Sequence, residues 1–521
     1  MSGKQISILL ISIDESALSP NVEADRSAFA LRERGYKTDI LHFHGVQNTR
    51  LESQINQNYD LVGVAVRQPA YKYGFNNGID IIKYLKKQLP TMKAFVMGHF
   101  ATANMESIVN DYPCIDYVLL GDSIELVVQL ADSIECGADV NSVHIATRTD
   151  FHNKQINVSS AVYKSTSYDF YETDSLVNNA AKTHQLQFKN SVCNGKCTFC
   201  EWRSSRVGEF SFRDKRDIID EIRTVREKYG VKHFFISDAD LFSPNNEWYF
   251  DYLSQIFCEI ERLHIDAVFT CFCRACSLYK SDETIALLKQ MKKGGLTTAF
   301  VGVDGGNAED LKLYGKGTTA EMNMNCVNLF RECGIYPMIG FIFINAYSTP
   351  QRLTENFNTL CALKCIDPNM YARSFLKVYR GTPIYTKMKN DGLLYESCGI
   401  TGLIPYQIID EQVRSVHAFL RDNLAEFVKG LPITMDQLCA NFYDYAHLYP
   451  QGQCNNRAIN TLIDRYYTLL TDFFSVIFVE FNLEKAADRL PSFKHDLLSL
   501  TDELVALNNE FAKKVSNVWG K

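Results

Sequence analysis

The chain has 521 residues, 46% hydrophobic and 22% charged, the balance of a globular protein of two or three domains and not of a disordered or fibrous one. Its net charge of -7 argues against binding nucleic acid through an overall positive field. Sixteen cysteines, scattered and mostly in apolar stretches, imply reduced thiols and a cytosolic setting, not a disulfide framework. No stretch is long and apolar enough to span a bilayer. The apolar run 6–13 is followed by Asp14 and Glu15 and reads as a first strand, not as a signal peptide.

From 5 to about 133, short apolar runs alternate with amphipathic segments. Strands are expected at 6–11, 37–42, 61–66, 93–97 and 117–120, and helices at 22–33, 51–57, 77–88, 105–111 and 125–133. Five strands with helical crossovers predict an α/β, parallel, doubly wound sheet, with its ligand site at the carboxyl ends of the strands. Those ends carry small or polar residues: Asp14 and Ser16, then Arg67-Gln68-Pro69, Gly98-His99 with Thr102, and Gly121 with Ser123. Gly98 and Gly121 would let the backbone approach a large ligand closely. Residues 136–182 turn rich in Ser, Thr, Asn and Asp and read as a linker, with weak strand signals at 143–147 and 155–162.

A second strand–helix series follows. Its strands are expected at 185–189, 233–236, 267–272, 298–303, 338–344 and 372–378, and its helices at 215–229, 247–263, 282–292, 320–332 and 351–363. Six such units predict a partial barrel with its site at the carboxyl ends of the strands. Immediately after the first strand come Cys193, Cys197 and Cys200, spaced C-x3-C-x2-C, with Phe199 before the last. Three thiolates can hold three irons of a [4Fe–4S] cluster and leave one iron open, whereas an electron-transfer cluster is usually fully ligated. The alternative is a structural zinc site, which needs a fourth ligand. The nearest candidates, His184 and His233, form no paired motif.

The cysteine pattern resembles the radical S-adenosylmethionine (SAM) superfamily. The resemblance implies that SAM chelates the open iron, that an electron enters SAM, and that C–S cleavage yields a 5′-deoxyadenosyl radical. Further matches lie at successive strand ends: Asp238 and Asp240 after the second, Arg274 after the third, and Gly302-Val-Asp304 after the fourth, where relatives usually carry G-x-E-S. Asp304 would bond the ribose or amino group of SAM. Lys316, and Arg380-Gly-Thr-Pro-Ile-Tyr385, are similar to elements of the cobalamin-dependent members. The stretches 98–102 and 116–125 resemble the cobalamin-binding domain that precedes many radical SAM cores. Two departures stand out: Met97 replaces a glycine before Gly98, and the first strand end lacks the D-x-H-x-x-G that supplies a cobalt-ligating histidine elsewhere.

The resemblance thus implies a flavodoxin-like, cobalamin-binding-type domain at 1–135, a linker at 136–182, a (β/α)6 TIM-like radical SAM core at 183–390 and a helical region at 391–521. Cys193, Cys197 and Cys200 would hold the cluster. Phe199, Asp238, Asp240, Arg274, Gly302, Asp304 and Lys316 would serve SAM, and Ser16, Gln68, Gly98, His99, Thr102 and Gly121 the corrin. Cys271, Cys273 and Cys276 raise the question of an auxiliary cluster, though buried cysteines in apolar strands are ordinary.

Beyond 393 helices are expected at 413–427, 435–445, 458–478 and 497–518. The ring-rich stretch 441–449 fits either a substrate pocket or a helix interface, and the whole region is expected to cover the barrel mouth. The implied activity is a cobalamin-dependent methyl transfer to an unactivated carbon of a small molecule or peptide, fed by a flavodoxin or ferredoxin. The nearest alternative is a radical cyclisation, rearrangement or oxidation without methyl transfer. A non-catalytic corrinoid or SAM sensor is the alternative from another class. A tRNA methylthiolating enzyme lacks support, because no basic RNA-binding module is visible.

Overall fold

The computed structural model describes residues 6–14, 22–44, 55, 58–66, 72–121, 123–140, 142–148, 183–190, 192–204, 209–365, 367–395, 403–449 and 456–519. The expected helix at 51–57 (but for Ile55) and strand at 155–162 fall outside these residues, as do Ser16 and Gln68.

The N-terminal sheet has six strands: β1 (Ser7–Asp14), β2 (Lys37–His44), β3 (Leu61–Val66), β4 (Lys93–Met97), β5 (Tyr117–Leu119) and β6 (Ile145–Thr147). Their order is β2-β1-β3-β4-β5-β6. The first five are parallel, and β6, from the stretch read as a linker, pairs antiparallel to β5. Helices cover both faces, so the strands read as near-continuous apolar runs. Leu9, Ile11, Val62 and Val64 pack on one side, and Ile8, Leu10, Leu61 and Ala65 on the other. Gly63 is required because a Cβ there would sit 2.1 Å from the Phe95 ring. Gly63→Ala is therefore expected to cost about 1–3 kcal/mol, the range for overpacking, measured by urea denaturation.

The second sheet orders its strands β11-β10-β9-β8-β7, where β7 is Thr183–Leu186, β8 His233–Ile236, β9 Val268–Arg274, β10 Leu296–Asp304 and β11 Tyr336–Phe341. All neighbours are parallel and joined by helices, the layout of a partial barrel. The expected sixth strand at 372–378 is reduced to one parallel bridge, Ile344 to Phe375. Part of it is drawn instead into the helix Pro368–Arg373.

The C-terminal helices correct one expectation. The helix Met435–Leu448 packs on β9, β10 and β11, but it touches their amino ends. Asp436 accepts from the Tyr336 hydroxyl, Asp444 from Thr297, and Asp444 also faces His233 at 3.3 Å. The ring-rich stretch therefore closes the bottom of the barrel and not its mouth. A cavity of about 240 Å³ lined by Thr183, Gln185, His233 and Thr270 lies at this same lower end.

The two sheet domains are locked by a buried charge network. Arg26, on the helix Val22–Glu33, reaches Glu221 at 2.8 Å and the Gln185 carbonyl at 3.3 Å. Glu221, on the helix Lys215–Tyr229, also takes Arg213 at 2.6 Å and His184 at 2.7 Å. Among the described residues no helix is long and apolar enough to cross a membrane.

Candidate active site

The cluster loop leaves the first barrel strand and is pinned at its base. The Thr198 amide donates to the Tyr314 carbonyl at 2.8 Å, its hydroxyl donates to Leu313 O at 2.7 Å, and its own carbonyl accepts from Ile384 at 3.0 Å. Phe199 meets the Tyr314 ring edge-on at 5.6 Å. Ile384 belongs to the Arg380–Tyr385 element, where Thr382 caps the helix Pro383–Asn390. That element thus closes against the cysteines.

The donor set suits an anionic thiolate cluster. Burial raises the Cys197 thiol overall, and Lys316 and Arg274 oppose that rise. The Gly195 amide donates to Cys193 Sγ at 3.3 Å, and a Cβ at Gly195 would lie 3.2 Å from that sulfur and 3.1 Å from Arg274 Nε. Among the described residues no three His, Cys, Asp or Glu side chains converge on a single ion. A cube that takes one thiolate per corner needs them further apart than one ion does. The zinc alternative also loses both candidate fourth ligands: His184 is held on Glu221, and His233 lies at the amino end beside Asp444.

Around the loop, the strand-end residues gather as the fold brings them. Asp304, at a positive φ of 57°, ion-pairs with Lys316, which is almost wholly buried. Burial alone would lower the Lys316 ammonium, but Asp304 and Cys197 outweigh it and raise it. Gly302 makes room for this pair, since a Cβ there would fall 3.1 Å from Lys316 Nζ and 3.2 Å from Asp304 Oδ2. Arg274 donates through Nη2 to the Lys316 carbonyl at 3.0 Å, and its Nε is buried with no hydrogen-bond partner in the chain.

Asp238 and Asp240 lie deeper. Asp238 accepts the Phe188 amide at 3.1 Å and faces Lys189 at 3.5 Å; burial pushes its carboxyl up, against the pull of Lys189. Asp240 accepts from the Arg274 amide at 3.3 Å and from the Ser277 hydroxyl. Both carboxylates bind the protein, one fixing Lys189 and the other fixing Arg274. Cys271 and Cys273 turn to the buried outer face of β9, where the Cys273 thiol donates to the Arg274 carbonyl at 3.3 Å, while Cys276 lies 4.0 Å from the Lys316 carbonyl.

Phe272 and Phe300 share the strand face of Arg274, Gly302 and Asp304. Phe235, Phe272 and Phe300 meet edge-to-face at 4.9 and 5.5 Å. They form an aromatic floor beneath the charged groups. Gly340 admits the floor, because a Cβ there would lie 2.7 Å from Phe300.

At the N-terminal sheet, Gly98 (φ 95°) starts the short helix His99–Ala103, and Gly121 (φ 86°) ends β5. Thr102 ties the two together: its hydroxyl donates to Gly98 O at 3.1 Å and accepts from the Gly121 amide at 2.8 Å. Of His99 the structure describes only the backbone, in this helix. The helix packs directly on the turn Glu201–Ser204 that follows Cys200. The carboxyl end of the first sheet therefore faces the cluster loop, a juxtaposition across a hundred residues that no local pattern announces.

Residues 190–353 match the Radical SAM superfamily model. This stretch is a radical SAM domain. The fold of the chain is similar to those of solved radical SAM enzymes that bind cobalamin. The structure of the cobalamin-dependent radical SAM enzyme OxsB with aqua-cobalamin and SAM bound covers 99% of this chain and 80% of its own, with a TM-score of 0.70 at 13% identity. The radical SAM methyltransferase TsrM from Kitasatospora setae, with cobalamin and a [4Fe–4S] cluster, covers 77% and 83%, at a TM-score of 0.58 and 17% identity. In sequence, the chain is similar to the anaerobic magnesium-protoporphyrin IX monomethyl ester cyclase of Rubrivivax gelatinosus, 21% identical over 63% of this chain. The chain spans 59% of the length of that relative.

Proposed function

We propose that this radical SAM enzyme binds a [4Fe–4S] cluster, SAM and cobalamin, and transfers a methyl group to an unactivated carbon of a small molecule or peptide. The observation that carries the reading is the packing of the Gly98–Thr102 segment on the turn after Cys200, which supports two cofactors meeting over one substrate.

Cys193, Cys197 and Cys200 would hold the cluster, and Gly98, Thr102 and Gly121 would line the corrin side, with the backbone of His99 in the same short helix as Thr102. When bound, these groups supply a 5′-deoxyadenosyl radical and a transferable methyl; the protein supplies position and exclusion. Arg274 Nε is the spare donor for the SAM carboxylate, held in place by Asp240 through its own amide. Asp304 would receive the ribose or amino group of SAM, its position set by Lys316 and opened by Gly302. Phe199 braces the loop on Tyr314. Asp238 fixes Lys189 beneath the loop. Phe235, Phe272 and Phe300 would give the site an apolar floor.

The cyclase relative favours a second reading, radical cyclisation, rearrangement or oxidation without methyl transfer. The deciding experiment is the corrin and iron content of anaerobically purified protein, followed by product mass. About one corrin and four irons per chain, with a product heavier by one CH2 unit, supports methyl transfer. Four irons with a product that gains no carbon moves the assignment to the second reading.

A further inference from the structure

We propose that Asp310 is a positioning residue of the cluster loop, acting through Asn345 and Tyr314 on the segment that carries Cys197, Phe199 and Cys200. This rests on the reading of the three cysteines as a cluster site.

Three buried amides converge on the Asp310 carboxylate, and backbone donors fix which way each one points. The Asn345 side-chain oxygen accepts from the Tyr347 amide at 2.8 Å, and that of Asn356 from the Gly306 amide at 2.8 Å. The Asn307 side-chain oxygen accepts from the Asp310 amide at 2.8 Å. A backbone N–H only donates, so each side-chain NH2 group must face the other way. All three face Asp310. Asn345 donates to Oδ1 at 2.9 Å, and Asn307 and Asn356 donate to Oδ2 at 2.7 and 3.0 Å. Arg352 Nη1 stands 3.7 Å from Oδ1. Asp310, Asn345 and Asn356 are completely buried. Only a carboxylate offers three such donors two oxygens and no hydrogen.

The network ends on the cluster loop. The Asn345 NH2 group also donates to the Tyr314 hydroxyl oxygen at 2.8 Å. Tyr314 is wholly buried and follows the helix Ala308–Leu313, whose first turn contains Asp310. The carbonyls of Leu313 and Tyr314 are the two that receive Thr198, and the Tyr314 ring is the one that Phe199 meets. Gly315, at φ 62°, permits this approach: a Cβ there would lie 2.9 Å from the Lys196 carbonyl and 3.2 Å from Thr198 Cγ2. The next residue, Lys316, forms the pair with Asp304. Burying a carboxylate among amides is costly unless every group is satisfied, and an apolar core could hold the helix as well. What an apolar core lacks is one fixed hydrogen-bond geometry joining the turn after β10, the segment after β11 and the loop.

The test is an exchange across the Asp310–Asn345 contact, made in the full-length, cluster-loaded protein reduced with dithionite in the presence of SAM. Asp310→Asn alone sets one NH2 group against another. Expected is 5′-deoxyadenosine formation slowed about tenfold, as for a lost support to a metal centre, with about four irons per chain retained. The electron paramagnetic resonance spectrum of the reduced cluster with SAM should change as well. Asp310→Asn/Asn345→Asp exchanges donor and acceptor, and the new carboxylate can accept from both the Tyr347 amide and the Tyr314 hydroxyl. Its rate and spectrum should return to within about twofold of wild type, the coupling expected of a specific pair. Tyr314→Phe keeps the ring and the carbonyls and should give a smaller loss in the same direction; it decides the matter where Asp310→Asn does not fold. An Asp310→Asn protein that is less stable in urea but keeps the wild-type spectrum and rate per iron-loaded chain would overturn the proposal. So would an exchange variant no better than the single one, or a Tyr314→Phe protein identical to wild type. Wild-type protein that holds no iron would instead overturn the cluster reading, and the role of Asp310 with it.

Discussion

Cys197→Ala is expected to strip the protein of iron and to abolish reductive cleavage of SAM. Lys316, Arg274 and Asp304 all act on the Cys197 thiol. Losing a supporting contact to a metal centre typically costs about 10- to 100-fold in affinity. Losing one of three thiolates that already leave a corner open should cost more, because two cannot fix a cube. Iron should fall from about four per chain to under one, and 5′-deoxyadenosine below detection. Lys316→Met separates ligation from tuning. It keeps all three thiols but removes a buried cation next to Cys197 and Asp304. Iron should be retained while the midpoint potential moves to more negative values, because a nearby positive charge favours the reduced state. A Cys197→Ala protein that still carries a full cluster would sink the three-cysteine assignment.

Much of this site was legible because its parts sit at fixed offsets from strand ends. β3 and β4 begin and end where the apolar runs predict, as both faces of the first sheet are buried. The helices Lys215–Tyr229 and Ala320–Glu332 also match, since Asp214 and Thr319 cap their starts and Gly230 ends the first. Cys193, Gly302, Asp304 and Lys316 converge because parallel strands deliver their carboxyl ends to one mouth. Other features left no local trace. The 441–449 stretch showed its rings but not which end of the barrel they cover. The helix Leu483–Trp519 runs through Pro491, where a proline normally argues for a boundary, so only its later part was expected. Asp238 and Asp240 show why residue type alone misleads: at strand ends they invite a ligand, but burial and the Phe188, Lys189, Arg274 and Ser277 partners turn both inward. The contact of Arg26 with Glu221 joins residues 195 apart in sequence.

That contact carries the largest expected effect on stability. Glu221 is 1% exposed and is the single acceptor shared by Arg26, Arg213 and His184 in the described network. Glu221→Gln removes its charge and leaves two buried guanidiniums facing each other, a change that typically costs about 3–5 kcal/mol. The loss should be read by urea denaturation. Faster amide exchange in the helices Val22–Glu33 and Lys215–Tyr229 should accompany it, because the network joins the first sheet to the barrel. The pH dependence follows the same groups. Burial pushes the Glu221 carboxyl up, but Arg213, Arg26 and His184 outweigh it and hold it far below its ordinary value of 4.5. Burial also lowers His184 below its ordinary 6.5, so a neutral imidazole donates to Glu221. Both folded values are depressed, so the unfolded chain takes up protons first as the solution is acidified. Stability from His184 is fully present above 6.5 and falls below it; that from Glu221 is present above 4.5 and falls further below that value. Wild-type protein should therefore lose stability on acidification in two stages, while Glu221→Gln should lack the lower one. A variant as stable as the wild type, with the same acid profile, would show that the two domains are held together by other contacts, and that the position of the corrin side over the cluster loop does not depend on this network.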